Sequence, residues 1–135
     1  MIRNGIDIIA IDRIEKSVEK LGAAFLTRIY TPAEIELCQK KNRKAMESFA
    51  GRFAAKEAIS KALGTGIGGE GVSFTDMEIL ADEKGRPVAV LSGNAKKVYE
   101  NMQGKDLCVS ISHDGGIAIA VCHIEYDGAS AEGEA

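Results

Sequence analysis

The stretch LCVSISHDGGIAIAVCHIE, residues 107–125, alternates apolar and polar side chains on both sides of Asp114-Gly115-Gly116. A period of two marks strands with one buried face, and a polar Gly-rich turn between two such runs marks a hairpin. Upstream the period changes. Residues 46–63 carry the most regular helical spacing in the chain. Asp12, with Glu15 three residues on, reads as the capping box of a helix whose apolar stripe is Ile14, Val18 and Leu21. Gly22 interrupts that helix, and Phe25, Leu26 and Ile29 extend the helical pattern by a further turn or two. Thr31-Pro32-Ala33-Glu34 opens another helix, with Thr as cap, Pro at the first position and Glu at the third. Residues 2–11 read as an Ile-rich strand, with Ile6 and Ile8 on one face and Asp7, Ile9 and Ile11 on the other. Residues 77–81 and 88–91 read as strands around a turn at 82–85, and Ser92 as the cap of a short helix ending near Met102. Helices come early and antiparallel strands late. That order predicts an α+β fold, an antiparallel sheet packed with helices, and not a doubly wound one.

The chain has 135 residues, enough for one domain with its own core. Residues 1–125 are expected to form it, with 126–135 a loose acidic tail. Hydrophobic residues at 45% exclude a disordered chain, and the scarcity of aromatics (5%, no Trp) leaves Ile, Val, Leu and Ala to build the core. With 17 basic against 20 acidic residues, a uniformly basic nucleic-acid binder is excluded. The charge is uneven, however. Residues 40–61 hold seven basic side chains (Lys40, Lys41, Arg43, Lys44, Arg52, Lys56, Lys61) against Glu47 and Glu57, a local +5. Such a patch suits a phosphate compound or an acidic partner, although a charge run is more often a solvated helix face. Three cysteines without a CxxC (Cys38, Cys108, Cys122) suit buried thiols in a reducing cytosol. The opening MIRNGIDIIAID meets Asp7 too early for a signal peptide, and no apolar run approaches a membrane span.

On a helical wheel Met46, Phe49, Ala50 and Phe53 share one arc of the helix over 46–63, and Glu57 falls in its middle. A carboxylate there costs several kcal/mol unless a charge meets it. Lys61, one turn on, supplies one, and an ordinary Glu57–Lys61 helix pair is the plainer reading. Asp7 shifts the balance, because Asp is depleted in strand interiors. Two carboxylates in apolar surroundings call for a shared cation, and Mg²⁺ takes one or two carboxylates together with water and substrate phosphates. The glycine loop GTGIGGEG, residues 64–71, formally contains GxGxxG. A helix precedes it and the strand-like Val72-Ser73-Phe74 follows, the reverse of a dinucleotide-binding unit. Gly64 and Gly66 still allow backbone to approach a ligand closely. His113 ends a strand where it could contact a phosphate. Ser110 and Ser112 have no base placed beside them and read as ordinary polar groups.

Three segments together resemble a known family. Gly5-Ile6-Asp7 followed by Arg13-Ile14 resembles the GxDxxxxxRI element of bacterial holo-acyl-carrier-protein synthases, the small phosphopantetheinyl transferases. Arg52-Phe53-Ala54-Ala55-Lys56-Glu57-Ala58, with Lys61 and Gly64-Thr65-Gly66-Ile67, resembles their second and most specific element. Val109-Ser110-Ile111-Ser112-His113 resembles a weaker third. The resemblance implies the phosphopantetheinyl transferase fold and Mg²⁺-dependent transfer of 4′-phosphopantetheine from coenzyme A to a serine of apo-acyl carrier protein. Adenosine 3′,5′-bisphosphate would be released, in the cytoplasm, by a homotrimer. It implies Asp7 and Glu57 as metal ligands, Lys61 beside the transferred phosphate or the pantetheine arm, and Arg52, Gly64, Gly66 and His113 around coenzyme A. Arg13 would meet the carrier, and the basic connection at Arg43 and Lys44 either the 3′-phosphate or the carrier. The sequence departs from the pattern at Ala10, where many relatives carry Glu. The competing expectation is a non-catalytic module that binds a carrier protein or nucleotide.

Overall fold

The computed structural model describes residues 1–128. Strand β1 (Ile2–Ala10) runs directly into helix α1 (Ile11–Leu21), then α2 (Ala23–Ile29), α3 (Pro32–Gln39) and the long α4 (Ala45–Leu63). Strands β2 (Met77–Ala81) and β3 (Pro87–Leu91), helix α5 (Gly93–Asn101), and strands β4 (Gly104–Asp114) and β5 (Ile117–Tyr126) complete the order. The predicted α+β class is the observed one. The hairpin β4–β5 forms as its alternation requires, and β1 joins it antiparallel to give a sheet of order β1-β5-β4. β2 and β3 pair separately. Strand β5 continues through the buried Tyr126, whose N–H donates to Met1 O, so the ordered fold passes the expected boundary at 125. The rest of the expected tail, 129–135, lies outside the described residues.

α4 is the axis of the molecule. It lies across one face of the three-stranded sheet and is flanked by α1, α3 and β2. Its long Ala content (Ala50, Ala54, Ala55, Ala58, Ala62, all fully buried) lets neighbours approach on several sides. The arc expected to face the core does so only in part: Phe49 and Ala50 are buried, whereas Met46, Phe53 and Glu57 are only half-buried and Lys61 is exposed. The remaining sides are covered, Arg52 and Lys56 included. The local +5 patch is therefore smaller on the surface than in the sequence.

Four further expectations are corrected. Asp12 does not cap α1. Ala10 holds that position, because β1 pairs through Ala10 with Ile117 and the next N–H, Ile11, donates to Gly116 O at 2.8 Å. Asp12 sits in the first turn and pairs with Lys16. Ser92 makes no side-chain cap of α5; Asp76 Oδ2 accepts from Ala95 N at 3.2 Å instead. Val72-Ser73-Phe74 is no strand, since Phe74–Asp76 winds into a single 3₁₀ turn closed by Ser73 and Asp76. Cys108 is exposed, whereas Cys38 and Cys122 are buried thiols as expected. The Thr31–Glu34 capping box forms as read.

The outer face of the sheet is open and apolar. Ile2, Ile6, Ile8 and Ile117 are 67%, 57%, 60% and 41% exposed. The strand pattern placed Ile6 and Ile8 together on that face, but only the fold determines that none of the described residues covers it.

Candidate active site

Gly5 brings the two halves of the site together. A Cβ at Gly5 would lie 1.9 Å from Ala58 O and 2.8 Å from Ala62 N, so β1 touches the backbone of α4 only because position 5 lacks a side chain. Two residues on, the same strand face presents Asp7 to the next turns of the helix. Lys61 Nζ donates to Asp7 Oδ1 at 3.1 Å and to Ile6 O at 2.9 Å. Glu57, one turn before Lys61 on the open stripe, lies near enough to Asp7 to feel its charge. Partial burial pushes the Glu57 carboxyl above the usual glutamate range, Asp7 adds to the rise, and Lys61 opposes it. The wheel's plainer reading, a Glu57–Lys61 pair alone, gives way to a three-residue cluster in which Lys61 reaches across to Asp7.

Gly5→Ala is expected to push β1 off α4. The overpacking costs about 1–3 kcal/mol, and a displacement of Asp7 by about 1 Å costs on the order of a hundredfold in turnover. Thermal melting and steady-state kinetics check the two effects separately.

The ionisation of Glu57 makes a second test. A carboxyl whose folded pKa is raised holds its proton more tightly in the folded chain, so its ionisation subtracts stability as pH rises through and above the ordinary range. Glu57→Gln is therefore expected to raise the melting temperature at neutral pH, with the gain shrinking as pH falls towards about 4. A melting series against pH measures it.

A cavity of about 280 Å³ opens beside the N-terminal half of α4. Its lining includes Lys41, Lys44, Glu47, Arg52 and His113. The turn between β2 and β3 contributes Gly85, with Pro87 after it. Arg52 is held firmly: Nε donates to Ile79 O at 2.9 Å and one terminal nitrogen to Ser48 Oγ at 2.6 Å. His113 Nδ1 lies 3.7 Å from Glu47 Oε2. From Arg52 to Glu57 the helix rises about 7.5 Å and turns by about 140°, so this cavity and the carboxylate cluster lie close along one helix but on different sides of it.

Residues 3–122 match the family model described as the 4′-phosphopantetheinyl transferase superfamily. The chain belongs to that superfamily. This phosphopantetheinyl transferase is 45% identical over 125 residues to the holo-[acyl-carrier-protein] synthase of Koribacter versatilis, covering 93% of this chain and 98% of that one. It is 44% identical over 116 residues to the synthase of Ruminiclostridium cellulolyticum, covering 86% of each. Among solved structures, the Helicobacter pylori holo-[acyl-carrier-protein] synthase in complex with coenzyme A superposes with a TM-score of 0.79 at 45% identity, over 93% of this chain and all of that one. The Neisseria meningitidis synthase superposes with a TM-score of 0.84 at 36% identity, over 93% and 99%.

Within the transferase, the sequence-derived residues fall into groups. Asp7, Glu57 and Lys61 meet at the β1–α4 contact, and Arg52 meets His113 at the cavity. Gly64 closes α4 with φ 87° and Gly66 follows with φ 65°, so both serve the turn that leaves the helix. They lie beyond Lys61, not in the cavity of Arg52. Arg13 is exposed on α1 and does not line the cavity. Arg43, exposed, sits with Lys44 in the 3₁₀ turn Asn42–Lys44 that leads into α4.

Sequence reasoning missed Glu34 and Lys56. Both side chains are fully buried, and Lys56 Nζ donates to Glu34 Oε1 at 2.7 Å, Met77 O at 2.7 Å and Phe74 O at 3.0 Å. Glu34 also accepts from Thr31 N and Ile79 N. Burial lowers the Lys56 pKa, and Glu34 works against that. The available signal was Lys56 flanked by Ala55, Ala58 and Ile59, a cation set within an apolar stretch. Among the described residues no helix is long and apolar enough to cross a membrane.

Proposed function

We propose that this protein transfers 4′-phosphopantetheine from coenzyme A to a serine of apo-acyl carrier protein and releases adenosine 3′,5′-bisphosphate. The observation that carries the reading is the meeting of Asp7, Glu57 and Lys61 on an open stripe of α4, with a basic cavity on another side of the same helix. The serine oxygen forms a bond to the phosphorus that carries pantetheine. The bridging P–O bond of the diphosphate breaks, the nucleotide phosphate leaves, and the serine proton passes to a base or water. The nucleophile belongs to the partner, so the chain needs none of its own.

Mg²⁺ fits the cluster. Two carboxylates at one contact, Glu57 half-buried with its charge disfavoured by the neighbouring Asp7, are the donor set this ion takes. Asp7 and Glu57 would hold it, and it would supply charge neutralisation on the diphosphate. Lys61 adds a mobile point charge at the same place. Lys41, Lys44, Arg52 and His113 receive the phosphorylated nucleotide, and Arg13 meets the acidic carrier. Because α1 balances Arg13, Lys16 and Lys20 against Asp12, Glu15 and Glu19, Arg13 acts there as a local contact and not as part of a basic face.

The open Ile2–Ile6–Ile8 face supports a homotrimer, since so much exposed Ile on one sheet face favours burial against another copy. Sedimentation at micromolar concentration is expected to give three times the chain mass. The reaction itself is tested by the intact mass of apo-acyl carrier protein after incubation with the enzyme, coenzyme A and Mg²⁺. A gain of one phosphopantetheine that a chelator abolishes is the expected result. No gain, together with no coenzyme A binding in a titration, would point to a non-catalytic module.

A further inference from the structure

Ser48 departs from the pattern of the other helical hydroxyls. Ser17, Thr27 and Ser60 each donate to a carbonyl three or four residues earlier in their own helix, Arg13 O, Ala23 O and Glu57 O. That is the ordinary arrangement for a hydroxyl inside a helix. Ser48 accepts instead. One terminal nitrogen of Arg52 donates to its Oγ at 2.6 Å, and the fully buried Cys38 donates through Sγ at 3.3 Å. Arg52 is only 7% exposed, and its second anchor comes from another element, since Nε donates to Ile79 O of β2 at 2.9 Å. Two bonds on different nitrogens of a planar group fix its plane as well as its place. A guanidinium has five N–H donors, so three remain for the cavity that Ser48, Arg52 and Ile79 all line.

We propose that Ser48 is a positioning residue for nucleotide binding, which aims the Arg52 guanidinium into the cavity before the ligand arrives. The proposal rests on the reading of this cavity as the nucleotide pocket. A long side chain that the ligand itself must order subtracts the cost of that ordering from affinity. Ile79 O alone holds Nε and leaves the guanidinium plane free to tip about the Cδ–Nε bond. Ser48 stands one turn before Arg52 on the same helix face and closes that freedom. Losing the anchor weakens nucleotide binding by about three- to tenfold, the scale of immobilising one flexible side chain. The cavity lies on a different side of α4 from the Asp7–Glu57 cluster, so the lost hold is the same in the ground state and the transition state. Such a loss falls on KM and leaves kcat in place.

The test is calorimetric titration with adenosine 3′,5′-bisphosphate and with coenzyme A, alongside steady-state kinetics and melting curves. Ser48→Ala keeps a good helix former at the position. It is expected to bind both ligands about three- to tenfold more weakly and to raise KM for coenzyme A by the same factor at unchanged kcat. Ser48→Thr and Ser48→Val share one shape and differ in the hydroxyl; Thr is expected to restore the affinity and Val is not. Arg52→Lys is expected to weaken binding, and Ser48→Ala added to it to change affinity by less than about twofold, since the anchor then has nothing to aim. Cys38→Ala, which leaves the Ser48–Arg52 bond in place, is expected to keep the wild-type affinity. If Ser48→Ala melts lower but binds as wild type does, Ser48 serves only the fold and the proposal fails while the pocket stands. An equal loss in Cys38→Ala would assign the effect to packing, and full additivity with Arg52→Lys would take Arg52 out of it; either overturns the proposal. If wild type binds neither ligand, the reading of the pocket fails, and the proposal with it.

Discussion

Alanine at position 57 is expected to stop phosphopantetheine transfer while leaving the chain folded. Glu57 is half-buried on the open stripe of α4, and its ionised form is held against partial burial and the neighbouring Asp7. Removing it relieves that repulsion, so the melting temperature is expected to hold or rise. The loss falls on turnover, by at least about a hundredfold, the scale of losing one fixed group that stabilises developing charge. Asp7→Ala is expected to match it in turnover but to free Lys61, whose ammonium then keeps only Ile6 O of its two partners. Kinetics of both variants alongside melting curves make the check. Wild-type-like turnover in either would remove that residue as a metal ligand. A matching collapse of the fold would make the pair structural instead.

The largest effect on stability is expected from Lys56→Met. It removes the one ammonium buried against Glu34 and leaves a carboxylate with zero exposure and no cation. Breaking one side of a buried pair costs about 3–5 kcal/mol, a fall in melting temperature on the order of 10 °C or more for a chain of this size. Glu34→Met together with Lys56→Met is expected to recover only part of the loss. Phe74 O and Met77 O lose a donor in either case, and Thr31 N and Ile79 N lose an acceptor in the double variant. Chemical denaturation of the two single variants and the double variant gives the coupling directly.

The site was partly legible in the sequence because its residues break local rules. Asp7 is an acid inside an Ile-rich strand, and Glu57 an acid on an arc with Met46, Phe49 and Phe53. Both proved to belong to one cluster. The arc faces the core only in part: Phe49 and Ala50 are buried, while Met46, Phe53 and Glu57 lie along its open edge. Helical period tells which residues share a face of α4, but not that short Ala side chains let sheet and helices close over the other faces. Arg52 and Lys56 were counted as surface charge for the same reason. A buried cation is recognisable only by its partners, and these stand far off in sequence: Glu34 is 22 residues from Lys56, and Ile79 is 27 from Arg52.

The sequence by itself determined the kind and order of nearly every element, because strand alternation, helical period and turn residues act within a few positions of one another. It also singled out Asp7, Glu57 and Lys61, through residue type set against local context. Only the tertiary structure decided that β1 would join the late hairpin with Asp7 opposite Ala120, and that Gly5 would let this strand touch the backbone of α4. It also decided that the Ile6–Ile8 face would remain open. Those outcomes depend on contacts between segments more than fifty residues apart, whose free energy comes from packing and desolvation that no local pattern contains.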